Sequence, residues 1–259
     1  MKTTIPRAAL AAAVSAAHDA GRTMLHHLPR PKVVHSSEAH DIKLELDLQC
    51  QKLIRKRLLR DFPSFPLLGE EGIEGDITAD YRWVVDPIDG TVNYFYGMPH
   101  AAVSIALQYQ KQSIVGVVYD PFTDELWTAT RGTKTRLNGR PVQVSKRAKP
   151  AEAMLAMGFS KDKENLDQSL PHLNRLVRRV KKLRILGSAA LELAYVSCGR
   201  LDAYVERRIN LWDIAAGALL VECAGGECFA RPVSGEHRYT LCADNGLLRR
   251  KLQISTLLM

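Results

Sequence analysis

Trp83-Val84-Val85-Asp86-Pro87-Ile88-Asp89-Gly90-Thr91 is the stretch from which the rest of the chain can be read. A short apolar strand over Trp83 to Val85 delivers Asp86 at its end. Pro87 has no N–H for a ladder and is expected to turn the chain, and Asp89 returns three residues later. Two carboxylates should then project from one tight turn. Gly90 permits close backbone approach, and Thr91 is placed to start a helix whose free N–H groups and positive dipole end attract a phosphate. Acids beside a phosphate cradle point to phosphoryl-transfer chemistry.

Two further segments offer acids of the same kind. Leu68-Gly69-Glu70-Glu71-Gly72 sets carboxylates between glycines in a turn, and Leu211-Trp212-Asp213 sets one at a helix start. Each piece alone has an ordinary reading as a surface turn, a solvated acid pair or a helix cap. Together, Glu70, Asp86, Asp89 and Asp213 would form a strongly self-repelling pocket. All-oxygen ligation of that kind suits Mg²⁺.

Outward from this centre, strand signals fall at Val103 to Gln108, Ile114 to Tyr119 and Leu126 to Ala129. Asn138-Gly139 supplies the turn of a hairpin between Arg136 and Val144. On the N-terminal side, Ile42 to Leu48 alternates apolar and polar residues and reads as extended, running into a basic helix through Arg60. His35 to His40 reads as an exposed loop. Earlier still, Ala9, Ala12, Ala13, Ala16, Ala17, Ala20 and Met24 share one helical face, so the opening is read as a packed first helix and not a leader peptide. Beyond Lys146, Asn165 to Val180 reads as helical with Pro171 in its first turn. Ser188 caps a second helix that Gly199 ends, and Asp213 opens a third that stops at Gly225-Gly226. Asp202 to Val205 and Tyr239 to Ala243 read as strands. The texture divides the chain into an α+β half over 1–145 and an α/β half over 146–259, with no linker between them.

Composition is that of a globular chain of 259 residues with a formal charge of +8. The charge invites nucleic acid, anionic lipid or a phosphorylated small molecule and does not choose among them. No apolar run approaches the roughly 18 residues a membrane span needs. The five cysteines are scattered without metal-ligand spacing, which predicts reduced thiols in a cytoplasmic protein. The basic run Arg175 to Arg184 lacks interleaved aromatic residues and reads as a solvated face, so nucleic acid is not the expected partner.

The acidic segments, in this order, resemble the inositol monophosphatase family of Mg²⁺-dependent phosphatases, within the superfamily that includes fructose-1,6-bisphosphatase. The resemblance runs from about Ala9 to Ala243. It rests on Gly69-Glu70-Glu71, on Trp83 through Asn93-Tyr94, on Gly187-Ser188-Ala189-Ala190-Leu191-Glu192-Leu193-Ala194 with Gly199-Arg200-Leu201-Asp202, and on Trp212-Asp213-Ile214-Ala215-Ala216-Gly217.

The resemblance implies an α+β fold layered as an αβαβα sandwich. It implies hydrolysis of a small polyol or sugar phosphate by metal-activated water, with inositol monophosphate the leading substrate. Histidinol phosphate, fructose 1,6-bisphosphate and adenosine 3′,5′-bisphosphate are alternatives, and a non-catalytic RNA-associated or regulatory relative is the competing class. Carried over residue by residue, it makes Glu70, Asp86, Asp89, Asp213 and the Ile88 carbonyl ligands of about two or three Mg²⁺ ions. Asp47 pairs with the Thr91 hydroxyl, and these two act in catalysis with Glu70. Gly90 and Thr91 hold the phosphate, while Gly187, Ser188, Ala189, Glu206, Asp89 and Asp213 contact substrate. A homodimer is implied as well. The chain departs from the family pattern at Ser36, where a lysine is usual, and at Leu44, where a threonine is usual. These positions flank Asp41 in a loop that approaches the site, and His35 is the nearby residue able to restore the charge.

Overall fold

The computed structural model describes residues 4–37, 42–159, 163–235 and 237–253. The alanine face predicted for the first helix is real. In α1 (Thr4–His27) the residues Ala9, Ala12, Ala13, Ala16, Ala17, Ala20 and Met24 are all buried. Side chains this small bring α1 close against the neighbouring helix and the sheet beneath it. A short antiparallel hairpin follows, β1 (Val34–Ser37) and β2 (Ile42–Leu44), with Ser36 directly across from Lys43. His40 and Asp41 lie outside the described residues.

The extended reading of Ile42 to Leu48 holds only to Leu44, because α2 (Glu45–Asp61) starts at once. Its buried residues Leu46, Asp47, Cys50, Gln51, Ile54 and Leu58 follow the helical period, and the alternation of three leucines masks it. Asp47 is the third helical residue, and its Oδ2 accepts the Leu44 N–H at 2.6 Å to close the capping box.

The next strands are β3 (Leu67–Gly69), β4 (Gly72–Glu74) and β5 (Tyr81–Asp89), after which comes the single turn of helix α3 (Thr91–Phe95). Then follow β6 (Ala102–Tyr109), β7 (Gln112–Asp120), β8 (Glu125–Thr130), β9 (Arg136–Leu137) and β10 (Arg140–Pro141). They form one sheet in the order β10-β9-β8-β7-β6-β5-β3-β4, antiparallel except where β3 runs parallel to β5. Asn138 and Gly139, at φ 47° and 78°, make the tight turn between β9 and β10 as expected. Successive side chains point to opposite faces. Trp83, Val85, Ile105, Leu107, Val115 and Val117 pack with α1 and α2, whereas Val84, Ala106, Val118 and Trp127 pack on the other side.

The remaining elements are β11 (Met154–Met157), α4 (Lys163–Val177), β12 (Lys182–Arg184), α5 (Ala189–Ser197), β13 (Ala203–Asn210), α6 (Leu211–Cys223), β14 (Glu227–Pro232), β15 (Arg238–Asp244) and α7 (Arg249–Leu252). A second sheet has the order β12-β11-β13-β15-β14. Helices α5 and α6 fill the space between the two sheets and are apolar nearly all round, as a helix with sheets on both sides must be. Leu155, Met157, Val205 and Cys242 on the far face of the second sheet meet Leu176 of α4 and Leu248 and Leu252 around α7. The layers therefore run helix, sheet, helix, sheet, helix, the αβαβα sandwich that the resemblance implied.

Pro171 lies in the interior of α4 and not in its first turn. Its side of the helix is exposed, so water can satisfy the carbonyl that its missing N–H leaves without a partner. The basic run is largely exposed, as expected, and two of its arginines fasten it around α7: Arg175 donates to the Gln253 carbonyl at 3.0 Å and Arg179 to the Lys251 carbonyl at 2.8 Å. The five cysteines are free thiols, and no helix among the described residues is long and apolar enough to cross a membrane.

Gly116 on β7 lies directly against the backbone of α6. A methyl group there would sit 2.9 Å from the Ala216 carbonyl oxygen, with backbone on both sides and nothing flexible to yield. Gly116→Ala is expected to cost about 1–3 kcal/mol. That lowers the melting temperature by about 2–4 °C for each kcal/mol in a chain of this size. A melting curve that overlays the parent would refute the packing assigned to this contact.

Candidate active site

The Asp86 to Thr91 stretch does not turn at Pro87. Strand β5 continues to Asp89, and its pairing with β6 slips there, with Asp86 opposite Ser104 and Asp89 opposite Ala102. An odd spacing of three would put Asp86 and Asp89 on opposite faces of a regular strand. The bulge inserts the extra residue that returns them to one face, and Ile88 turns into the core beneath α1 and α2. Pro87 is at home in such a bulge because it has no N–H to contribute. Asp86 Oδ1 accepts the Ile88 N–H at 3.0 Å and holds the kink.

Asp213 arrives from the other side. It is the third residue of α6, whose N-cap is Asn210, and its Oδ2 accepts the Asn210 N–H at 3.0 Å. Asp213 thus stands in the first turn of the helix, two residues after the opening Leu211. One carboxylate oxygen each from Asp86, Asp89 and Asp213 lies within 4.8 Å of the other two. Glu70, in the turn between β3 and β4, borders the same cluster: its N–H donates to the Val85 carbonyl at 3.1 Å, and its charge acts on Asp86.

Asp89 also organises the second half of the pocket. Its Oδ2 accepts the Ser188 hydroxyl at 2.6 Å and the Ala190 N–H at 2.7 Å. Ser188 stands at the N-cap of α5, but its hydroxyl is spent on Asp89, and this carboxylate from another strand caps the helix. Gly90, at φ 92°, precedes α3, and a Cβ there would lie 2.9 Å from the His100 carbonyl oxygen and 3.2 Å from that of Gly187. Only glycine fits so close to both backbones. The Thr91 hydroxyl reaches Asp47 Oδ1 at 3.2 Å and the Ile88 carbonyl at 2.7 Å, so the Asp47 and Thr91 pairing implied by the resemblance is present. Glu206 on β13 accepts the Tyr204 hydroxyl, and its charge acts on Asp89 and Asp213.

Burial and mutual repulsion dominate the electrostatics. Burial first, and then the charges of Glu70, Asp89 and Asp213, push Asp86 well above the usual carboxylate range. Asp213 is raised in the same way by burial, Asp89 and Glu70. Glu70 is raised to about 8 by burial, with Glu71 and Asp47 adding to it, and Asp47 to about 7, mainly by burial. Asp89 rises less, to about 6, because the Ser188 hydroxyl and the α5 amides stabilise its charge. Carboxylates so placed cannot all be ionised near neutral pH without cations among them, and an all-oxygen donor set fits a hard divalent ion.

Three contributors escape the sequence reading. Asn93 Nδ2 donates to the His100 carbonyl at 2.9 Å and the Leu186 carbonyl at 2.8 Å, tying α3 to the Gly187 turn. Glu192, buried on an otherwise apolar helix face, accepts the Leu186 N–H at 3.0 Å and anchors the same turn. A lone Glu among alanines and leucines was the available signal. Lys43 Nζ lies 3.2 Å from Glu71 Oε1, and nothing local in the sequence pairs them. His35 is exposed.

Comparison with known proteins agrees with this geometry. The model of the inositol monophosphatase family matches residues 6–253. The chain is 41% identical over 218 residues to Nus factor SuhB of Xylella fastidiosa, covering 82% of this chain and 78% of that one. It is 39% identical over 222 residues to inositol monophosphatase 2 of Solanum lycopersicum, covering 83% and 84%. The crystal structure of extragenic suppressor protein suhB from Bartonella henselae superposes with a TM-score of 0.89 at 33% identity, over 97% of this chain and 98% of that one. With its acid cluster, its layer order and these likenesses spanning nearly its whole length, the chain belongs to the inositol monophosphatase family.

Proposed function

We propose that this protein is a Mg²⁺-dependent phosphomonoesterase acting on a small polyol phosphate, with inositol monophosphate the leading substrate. The observation that carries the reading is the convergence of Asp86, Asp89 and Asp213 in one largely buried pocket beside the start of α3. Asp86, Asp89 and Asp213, with Glu70 and the Ile88 carbonyl, would hold the metal. When bound, divalent cations neutralise phosphoryl charge and make water a better nucleophile near neutral pH. The chain's own groups do the positioning. Gly90 and Thr91 present backbone N–H groups to phosphoryl oxygens. The Thr91 hydroxyl reaches both Asp47 and the Ile88 carbonyl; with that carbonyl holding metal, it would donate its hydrogen to Asp47 and keep its lone pairs free to orient the attacking water. Glu206 and the turn from Gly187 to Ala189, held by Asn93 and Glu192, line the side where substrate hydroxyls would sit. Water adds to phosphorus as the ester oxygen departs, giving inorganic phosphate and the free alcohol.

The test is phosphate release from a panel of inositol, histidinol, sugar and nucleotide phosphates in millimolar Mg²⁺. Release is expected to be fastest with inositol monophosphate and to be abolished by Asp89→Asn. No release from any ester, or full activity in Asp89→Asn, would defeat the hydrolase reading. The relatives named Nus factor SuhB favour one second reading, a non-catalytic RNA-associated or regulatory protein. Retention on RNA by a protein that releases no phosphate would support it.

A further inference from the structure

The turn between β3 and β4 carries two acids, and the proposed reaction uses one. Glu71 is the other. Its side chain is only 7% exposed, its N–H donates to Gln51 Oε1 at 3.0 Å, and its charge raises both Glu70 and Asp47. An acid so placed makes a crowded anionic pocket harder to form unless something offsets it. The cation facing it is Lys43, 3.2 Å away on β2, whose charge also acts on Glu70. Strand β2 is fixed in relation to the site, because the next residue, Leu44, donates its N–H to Asp47. Lys43 is also the direct cross-strand partner of Ser36, the position where the family resemblance leads one to expect a lysine. Cross-strand partners share one face of a hairpin, so a charge absent at 36 can be supplied from 43.

We propose that Lys43 is a built-in cation of the active-site pocket, a positioning residue that neutralises the Glu70 and Glu71 end and takes the place of charge that an additional divalent ion would otherwise bring. The proposal rests on the metal-dependent reading above and deepens it. Lys43 then works against the most weakly held cation. Removing its charge makes that end of the pocket more negative, so the last Mg²⁺ binds more tightly.

The experiment is calorimetric titration of metal-free protein with MgCl₂, without substrate, for the parent, Lys43→Met, Lys43→Arg and the double variant Lys43→Met with Glu71→Gln. Lys43→Met should bind the weakest Mg²⁺ about tenfold more tightly. That factor is the least that removing one unit charge several ångströms from a divalent ion gives, since it uses the dielectric of water. Lys43→Arg should stay within about twofold of the parent, and the double variant should return to within about threefold of it. Equal affinities in parent and Lys43→Met, or a shift in Lys43→Arg matching that in Lys43→Met, would overturn the role of Lys43 while leaving the metal site standing. No Mg²⁺ uptake by any variant would overturn both.

Discussion

Replacing Asp86 with asparagine is expected to lower phosphate release by about three orders of magnitude and to raise the melting temperature measured in a chelator. The two effects share one origin. Asp86 is buried, and its charge is opposed by Glu70, Asp89 and Asp213. An amide of the same shape keeps an oxygen for the Ile88 N–H and removes one source of repulsion. The gain in metal-free stability should be about 1–3 kcal/mol. That corresponds to a rise of about 2–4 °C for each kcal/mol. Catalysis would lose a ligand of the metal that neutralises the reacting phosphate, and losing one preorganised electrostatic contact costs about 10²–10³ in rate. In millimolar Mg²⁺ the parent should melt higher than in chelator, and Asp86→Asn should lose most of that increment. A variant keeping a tenth of its activity, or melting lower than the parent in chelator, would contradict this account of the pocket.

Metal-free protein is also expected to lose stability as the pH rises from about 6.5 to 8, by about 3 kcal/mol or about 10 °C in melting temperature. The sign follows from proton binding. Asp89, Asp47, Glu206 and Glu70 titrate at about 6, 7, 7 and 8 in the folded chain, well above their ordinary values. The folded state therefore holds protons that the unfolded state has already released. The stability these protonated acids contribute is complete below pH about 4 and drains away as the pH passes each folded value. Burial lowers His100 and His172, which favours the folded state as the pH rises, but above pH 6.5 the two together add less than about 1 kcal/mol. In the upper window the carboxylates outweigh them. Mg²⁺ should flatten the curve, because ions in the pocket replace the protons, and the gain from Mg²⁺ should grow with pH. A melting temperature that is constant or rising from pH 6.5 to 8 in chelator would show that these acids are already compensated within the chain.

Most of the acid set was legible because each member sits in a local pattern with its own logic. Asp86 and Asp89 flank a proline after an apolar run, Glu70 lies between glycines, and Asp213 follows Trp212 into a helix bounded by Gly225. The layer order followed from the resemblance, and the alanine face of α1 from the helical period. Less legible were features set by pairing across the chain. Pro87 reads as a turn until β6 is seen to continue beside it, and only that register shows a bulge. Strands β11, β12 and β14 are three to six residues long, too short for a period to stand out against the helices around them. Lys43 and Glu71 are distant in sequence, and their meeting depends on where α2 begins, which the alternating leucines conceal.

The bulge in β5 makes this segment sensitive to length in a way it is not to composition. A substitution within Asp86 to Asp89 changes the charge or shape of a pocket that still forms, and its effects are graded. Loss of the single codon for Pro87 would bring the two aspartates to a spacing of two, which a regular strand also places on one face, but it would remove the kink that the Asp86 carboxylate holds and with it the separation between the two carboxylates. In an evolutionary lineage, point changes here can be explored one at a time. A deletion acts all at once, because removing one residue abolishes the kink together with the spacing it sets.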